Sequence, residues 1–312
     1  MPTANRRQFL TTCALTGAGT QILPQTARSA EPEAAQKIRF CLNTSTIRGQ
    51  KLSLEEEIDL VGAAGYDGIE PWIREIEAYR ESGKSLADLR KRIEDNGLRV
   101  ESSIGFANWI VDDEAKRQQG LEQLKRDMEL LRSIGGKLIA APPVGAQGAD
   151  APRLDLLVVA ERYRAALEVG REMGVTPQLE VWGFSRNLSR LGETVFVAVE
   201  SDHPDACLLL DIYHIYKGGS GFGGLELLSN QAIHCFHFND YPADPTRENI
   251  NDSKRVYPGD GIAPWKQILG ALHSIGFDGT VSLELFNETY WKQDPQLVLK
   301  TGLQKMKALF SS

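Results

Sequence analysis

The chain has 312 residues, 42% hydrophobic and 25% charged, with a formal charge of −7. That composition is ordinary for a globular chain with a sizeable core, and no run of eighteen apolar residues is present to cross a membrane after processing. The negative balance repels phosphate backbones, which excludes generic nucleic-acid binding.

The first thirty residues differ from the rest. They hold Arg6, Arg7 and Arg28 and no acid, and NRRQFLTTCALTGAG places a weakly apolar run behind an arginine pair. ARSA at 27–30 offers small residues for cleavage, and 31–36 read as a polar linker. This stretch resembles a Tat-type export signal, which addresses a receptor and builds no fold, and it implies an exported, periplasmic protein. Without it the remainder is three units more negative, at −10. Cys41, Cys207 and Cys235 then remain, each in an apolar run. An odd count argues against a disulfide framework and makes them small core residues.

From residue 37 onward short apolar runs alternate with longer amphipathic ones. The predicted strands are IRFCLN (38–43), DGIEPW (67–72), LRVESSI (98–104), KLIAA (137–141), TPQLEV (176–181), ACLLLD (206–211), IHCFHF (233–238) and GTVSLELF (279–286). Between them, segments such as 52–65, 120–136, 161–174, 264–276 and 295–310 repeat apolar residues at three- and four-residue steps, which predicts helices with one buried face. Several end in glycine, as in AAGYDGIEPW and SIGFDGTVSLEL, where a left-handed residue turns the chain into the next strand. Eight such units predict a single-domain (β/α)₈ TIM barrel over 37–312. The rival open, doubly wound sheet wants a Gly-rich loop after its first strand, and LNTSTIRGQK has no GxGxxG.

In a parallel barrel the chemistry sits where strands finish. The last four predicted strands end in Glu180 (QLEVWG), Asp211 (CLLLDIYH), His237 (CFHFND) and Glu284 (SLELFN). Carboxylates inside apolar runs are costly to bury without a compensating cation. Three carboxylates and an imidazole suit one divalent ion: Mn²⁺ foremost, with Mg²⁺, Co²⁺ or Zn²⁺ compatible. His234, three residues before His237, points to the other side of its strand and reads as structural. Asp240 either orients a neighbour or caps the following loop. Glu70 in GIEPW contacts sugar hydroxyls or bridges to a nearby Lys or Arg. Asn43 and Glu101 are similarly open. Trp72, Trp109 and Trp182 lie near strand ends, where an indole stacks on a sugar or packs under a loop. YPGDGIAPW reads as a turn leading into a helix.

The ordered set LEVW, LDxxH, HFND and LEL resembles the xylose isomerase-like TIM barrels, the sugar phosphate isomerase/epimerase superfamily, over about residues 37 to 310. The resemblance implies that Glu180, Asp211, His237 and Glu284 hold the metal. It also implies that Glu180 and Glu284 exchange protons with the substrate. By the same match His214 and Arg255 contact substrate oxygens; Glu70 and Trp182 join them as candidate contacts. The implied activity is isomerisation or epimerisation of a free ketose or related sugar through an enediolate. The alternatives are a lyase or dehydratase acting on an inosose or a 3-keto-glycoside, and a non-catalytic sugar-binding barrel. Endonuclease IV shares the superfamily, but its site needs histidines from the first half of the barrel. All five histidines here lie at or beyond position 203. Relatives of this kind often form dimers or tetramers; the sequence carries no interface signature of its own.

Overall fold

A computed structural model describes residues 38–311. The expected export signal (1–30) and linker (31–36) lie outside the described residues. Eight parallel strands follow in chain order: β1 (Arg39–Asn43), β2 (Gly68–Glu70), β3 (Arg99–Val100), β4 (Leu138–Ala141), β5 (Thr176–Glu180), β6 (Leu208–Asp211), β7 (Ile233–Phe238) and β8 (Thr280–Leu283). The outer layer consists of α1 (Leu54–Ala64), α2 (Ile73–Glu81), α3 (Leu86–Asp95), α4 (Glu114–Ser133), α5 (Leu156–Met173), α6 (Leu191–Glu200), α7 (Ile212–Lys217), α8 (Trp265–Ser274) and α9 (Pro295–Phe310).

The sheet runs β3-β2-β1-β8-β7-β6-β5-β4, so β1 pairs with β8 and the sheet curls back on itself into the TIM barrel. The seam lies between β3 and β4, where Ala140 N–H donates to Ser103 O at 2.8 Å. The predicted third strand is correspondingly cut short. Its pairing with β2 stops at Val100 and resumes only as an isolated bridge, Trp72 to Ile104. Pro71 explains the gap: it accepts from Ile104 N–H but has no N–H of its own to donate back.

Local signals in the sequence set the helix ends. Ser53 accepts from Glu56 N–H while the Glu56 carboxylate takes Ser53 N–H, a capping box that starts α1. Gly65 (φ 89°) and Gly174 (φ 68°) close α1 and α5 in the left-handed region that L side chains avoid. The main apolar core lies between strands and helices. A second, small apolar cluster of Trp72, Ile104, Ala140, Leu209 and Cys235 fills part of the barrel interior. Otherwise much of that interior is polar, with Gln178, Ser102, Ser282, Glu70 and His237 all buried. Cys41, Cys207 and Cys235 are buried free thiols.

Candidate active site

Strand register assembles the site. Asp211, the last residue of β6, lies opposite His237 of β7, and His237 lies opposite Ser282 of β8. Glu284 comes two residues after Ser282, so the two-residue alternation of a strand returns it to the same face. Asn43 and Glu70 pair at the ends of β1 and β2. Asp211, His237 and Glu284 each offer a ligand atom, and these atoms lie within 4.8 Å of one another. His237 Nδ1 stands 3.6 Å from Asp211 Oδ2 and 3.2 Å from Glu284 Oε2, without a well-aligned hydrogen bond. Glu180, at the end of β5, stands off from this trio, and its buried Oε2 has no partner.

Arg255 supplies positive charge to the cluster while being only 1% exposed. Its Nη1 donates to Asp211 Oδ2 and to Glu284 Oε2, both at 2.8 Å. Its Nη2 donates to His214 Nε2 at 3.0 Å. A guanidinium has no acceptor, so His214 is neutral with its proton on Nδ1. His214 N–H in turn donates to Asp211 Oδ1 at 2.7 Å.

Electrostatics follow from this packing. Burial opposes ionisation of Asp211, but the Arg255 guanidinium beside it holds its carboxyl well below the usual range. Burial alone would lower the His237 pKa, yet Glu284 and Glu70 raise it well above the usual histidine value. Glu180 is the opposite case. Burial pushes its carboxyl up to about 8; His237 pulls against this, while Glu284 and Asp211 push the same way.

The cavity above these groups holds about 280 Å³ and mixes polar and aromatic lining. Its polar lining is Glu180, His214, Asp252, Arg255, Glu284 and Glu288, and its aromatic lining is Trp72, Phe106, Trp182, Phe184, Phe286 and Trp291, the two meeting where Phe184 lies against His214 and Arg255 against Phe286. Ring centroids step from Trp72 to Phe106 (5.1 Å), Phe106 to Trp182 (6.2 Å) and Trp182 to Phe184 (5.2 Å). A larger hollow of about 670 Å³ lies at the other ends of the strands, against α6 and the start of β6. Its lining is mainly aliphatic and carries no convergent carboxylates, so the smaller cavity is the candidate site.

Several expectations are revised by these positions. Glu70 does not reach the cavity; it is fully buried against His237 Nε2, Ser282 and Asn43, so a sugar contact from it is replaced by contact with the imidazole. Glu101 lies away from the site, tied to Arg39, Arg99 and Thr280. Trp109 is buried with its indole N–H on Pro142 O, whereas Trp72 and Trp182 line the cavity. His234 is exposed and outside the cavity lining. Asp240 organises the loop after β7, accepting from the N–H groups of Gly259, Gly261 and Ala263 and from the Trp265 indole. Phe106, Phe184 and Phe286 were not singled out from sequence. Only their places shortly after β3, β5 and β8 signalled them.

A family model for the xylose isomerase-like TIM barrel matches residues 58–309. The chain belongs to the xylose isomerase-like TIM barrel family. Among its relatives is the inosose isomerase of Bacillus velezensis, 26% identical over 277 residues and covering 88% of this chain and 98% of the relative. The D-psicose 3-epimerase of Agrobacterium fabrum is 25% identical over 242 residues, covering 74% and 79% of the two chains. Among solved structures, the IOLI protein with a bound zinc atom superposes with a TM-score of 0.79 at 22% identity, over 88% of this chain and 98% of that one. Family membership matches a site at the C-terminal ends of the barrel strands, where this cavity lies.

The residues also fit a divalent ion on structural grounds. Two ionisable carboxylates and an imidazole converge, and His237 Nδ1 and Glu180 Oε2 are orphaned buried atoms; the Cys235 thiol groups with His237 and Glu70, not with Asp211 and Glu284. Oxygen donors with one nitrogen are the set a borderline or hard dication takes. Arg255 Nη1 shares two of those oxygens, so one guanidinium sits where cationic charge is required.

Proposed function

We propose that the protein is a divalent-metal-dependent enzyme of the sugar isomerase/epimerase type, acting on a free ketose or related keto-sugar by removing a proton beside its carbonyl. The supporting observation is the Glu180 carboxyl, whose buried Oε2 has no partner and which burial raises to about 8, lining the same cavity as Glu284. Asp211, His237 and Glu284, with Glu180, would hold the ion; Mn²⁺ suits this donor set, and Mg²⁺, Co²⁺ and Zn²⁺ are compatible. When bound, the ion supplies Lewis-acid polarisation of the carbonyl. Glu180 and Glu284 then take and return the proton at carbon, and a base whose pKa lies near neutrality suits that task. Arg255 and His214 orient substrate oxygens at the cavity floor beside the carboxylates, while Trp182 packs against the sugar ring. A twin-arginine start supports export to the periplasm, where free sugars are more available than sugar phosphates.

The aromatic lining of the cavity favours a second reading, elimination from a keto-glycoside. Trp72 and Trp291 already spend their indole N–H groups on Asn43 and on Ser45 O, so they offer a ligand apolar surface and no hydrogen bond from the ring nitrogen. Phe106 and Phe184 stay 40% and 48% exposed at the same cavity. Such a wall suits an apolar leaving group better than a hydroxyl-rich sugar tail.

The experiment is exchange of the α-proton into D₂O, followed by NMR on D-fructose and on methyl and phenyl 3-keto-glucosides with Mn²⁺ present. We expect exchange with the ketone substrates and a loss of at least ~10²-fold in Glu284→Gln with unchanged circular dichroism. Release of phenol from the phenyl compound would select the lyase reading. Full activity in Glu284→Gln would contradict both, and binding without exchange would indicate a sugar-binding barrel.

A further inference from the structure

Glu70 is wholly buried, and its two oxygens lie 3.2 and 3.1 Å from His237 Nε2. The same carboxylate receives the Ser282 hydroxyl at 2.7 Å and Asn43 Nδ2 at 2.9 Å. Hydrogen-bond bookkeeping leaves little freedom here. The orientation of Asn43 is fixed because its Oδ1 accepts from Trp72 Nε1 at 2.9 Å and Ser45 N–H at 3.0 Å, so its amide nitrogen must face the carboxylates. That nitrogen also reaches Glu284 Oε1, at 3.3 Å. Asn43 thereby ties together the two glutamates on either side of the imidazole. Ser282 and Asn43 both donate to Glu70 Oε2, which favours the ionised, acceptor-only carboxylate, so the proton between Glu70 and the ring belongs to His237 Nε2. The free lone pair of a neutral His237 ring is then on Nδ1, the nitrogen that faces Asp211 and Glu284.

We propose that Glu70, held by Asn43 and Ser282, is a positioning residue that fixes His237 with Nε2 protonated and Nδ1 presented to the divalent cation. The role rests on the metal reading above. A carboxylate taking the second ring N–H of a ligating histidine sets both tautomer and ring orientation and raises ligand basicity. Glu70 was a candidate for touching sugar; it acts one step removed, through the imidazole. Ion pairing as mere filler is a poor account, since burying a carboxylate this deeply is costly without a task its charge performs.

The test uses Zn²⁺, which is diamagnetic, as the probe. Calorimetric titration of Glu70→Gln should give a zinc affinity weaker than wild type by roughly 10- to 100-fold, with circular dichroism and melting cooperativity retained. Glu70→Asp, which keeps the charge on a shorter stem, should recover part of the loss. In the zinc-loaded wild-type chain labelled with ¹⁵N-histidine, the five histidines give few enough resonances to assign. His237 should show a protonated Nε2 and a metal-bound Nδ1. Zinc on Nε2, or unchanged affinity in Glu70→Gln, overturns the role while leaving the metal site standing. Failure of the wild-type chain to bind zinc overturns the metal reading and this role together. The tautomer measurement needs no variant, so it decides the matter even where Glu70→Gln does not fold.

Discussion

Arg255 is the residue on which the charge balance of the site turns. It neutralises Asp211 and Glu284 and also reaches Asp252, while its guanidinium lies 4.5 Å from the centre of the Tyr213 ring. Replacing it by leucine leaves buried carboxylates without a cation, which costs about 3–5 kcal/mol when a buried pair is broken. Urea denaturation should show that loss in metal-free protein and a smaller one with Mn²⁺ present, because the ion offers those carboxylates another positive partner. An equal loss under both conditions would argue against a shared site. At this scale sequence reading reached the strand-end residues and stopped there. Asp211, His237 and Glu284 were legible because strand parity and family motif point the same way, and His234 was separated from His237 by the same parity. Glu70 was not, because its partner His237 lies 167 residues away and only barrel closure brings them together.

Between β7 and α8 the chain makes its longest excursion in this half of the barrel, and Asp240 holds it. Backbone N–H groups from Gly259, Gly261 and Ala263 and the Trp265 indole all converge on one buried carboxylate. Gly261 is required there: a Cβ would lie 2.3 Å from Asp240 Oδ1. Asp240→Ala strands these donors, and we expect a destabilisation of about 2–4 kcal/mol in urea melts. Since Arg255 belongs to the same loop, KM should rise as well. Unchanged stability would show that the loop is held elsewhere. The motif YPGDGIAPW signalled a turn ahead of a helix, yet nothing in it named the carboxylate that gathers the turn. Element types were legible from periodicity. The length of β3 was not, because Pro71 interrupts the ladder from the neighbouring strand.

At the scale of the whole molecule, stability carries a pH term from one buried acid outside the cavity lining. Burial pushes the Glu57 carboxyl of α1 up to about 9, with Glu75 adding to the effect and Arg48 opposing it. In the unfolded chain it titrates near its ordinary 4.5. The native state therefore keeps a proton that the unfolded state releases as pH rises through this window, so the term costs stability progressively between those values. Glu57→Gln should be more stable than wild type at pH 8 by up to ~5 kcal/mol, at about 1.4 kcal/mol per pH unit, with the gain vanishing as pH falls toward 4.5. Parallel pH–stability curves for the two proteins would refute this. The barrel itself was legible from eight alternating units, but its seam was not, since a single hydrogen bond between Ser103 and Ala140 leaves no periodic trace.

The central claim is that the ends of β5 to β8 hold one divalent cation. The direct measurement is calorimetric titration of metal-stripped protein with Mn²⁺, in wild type and in the Asp211→Ala/His237→Ala double variant. The account predicts one ion per wild-type chain and none in the variant; no binding by wild type, or equal binding by both, would contradict it.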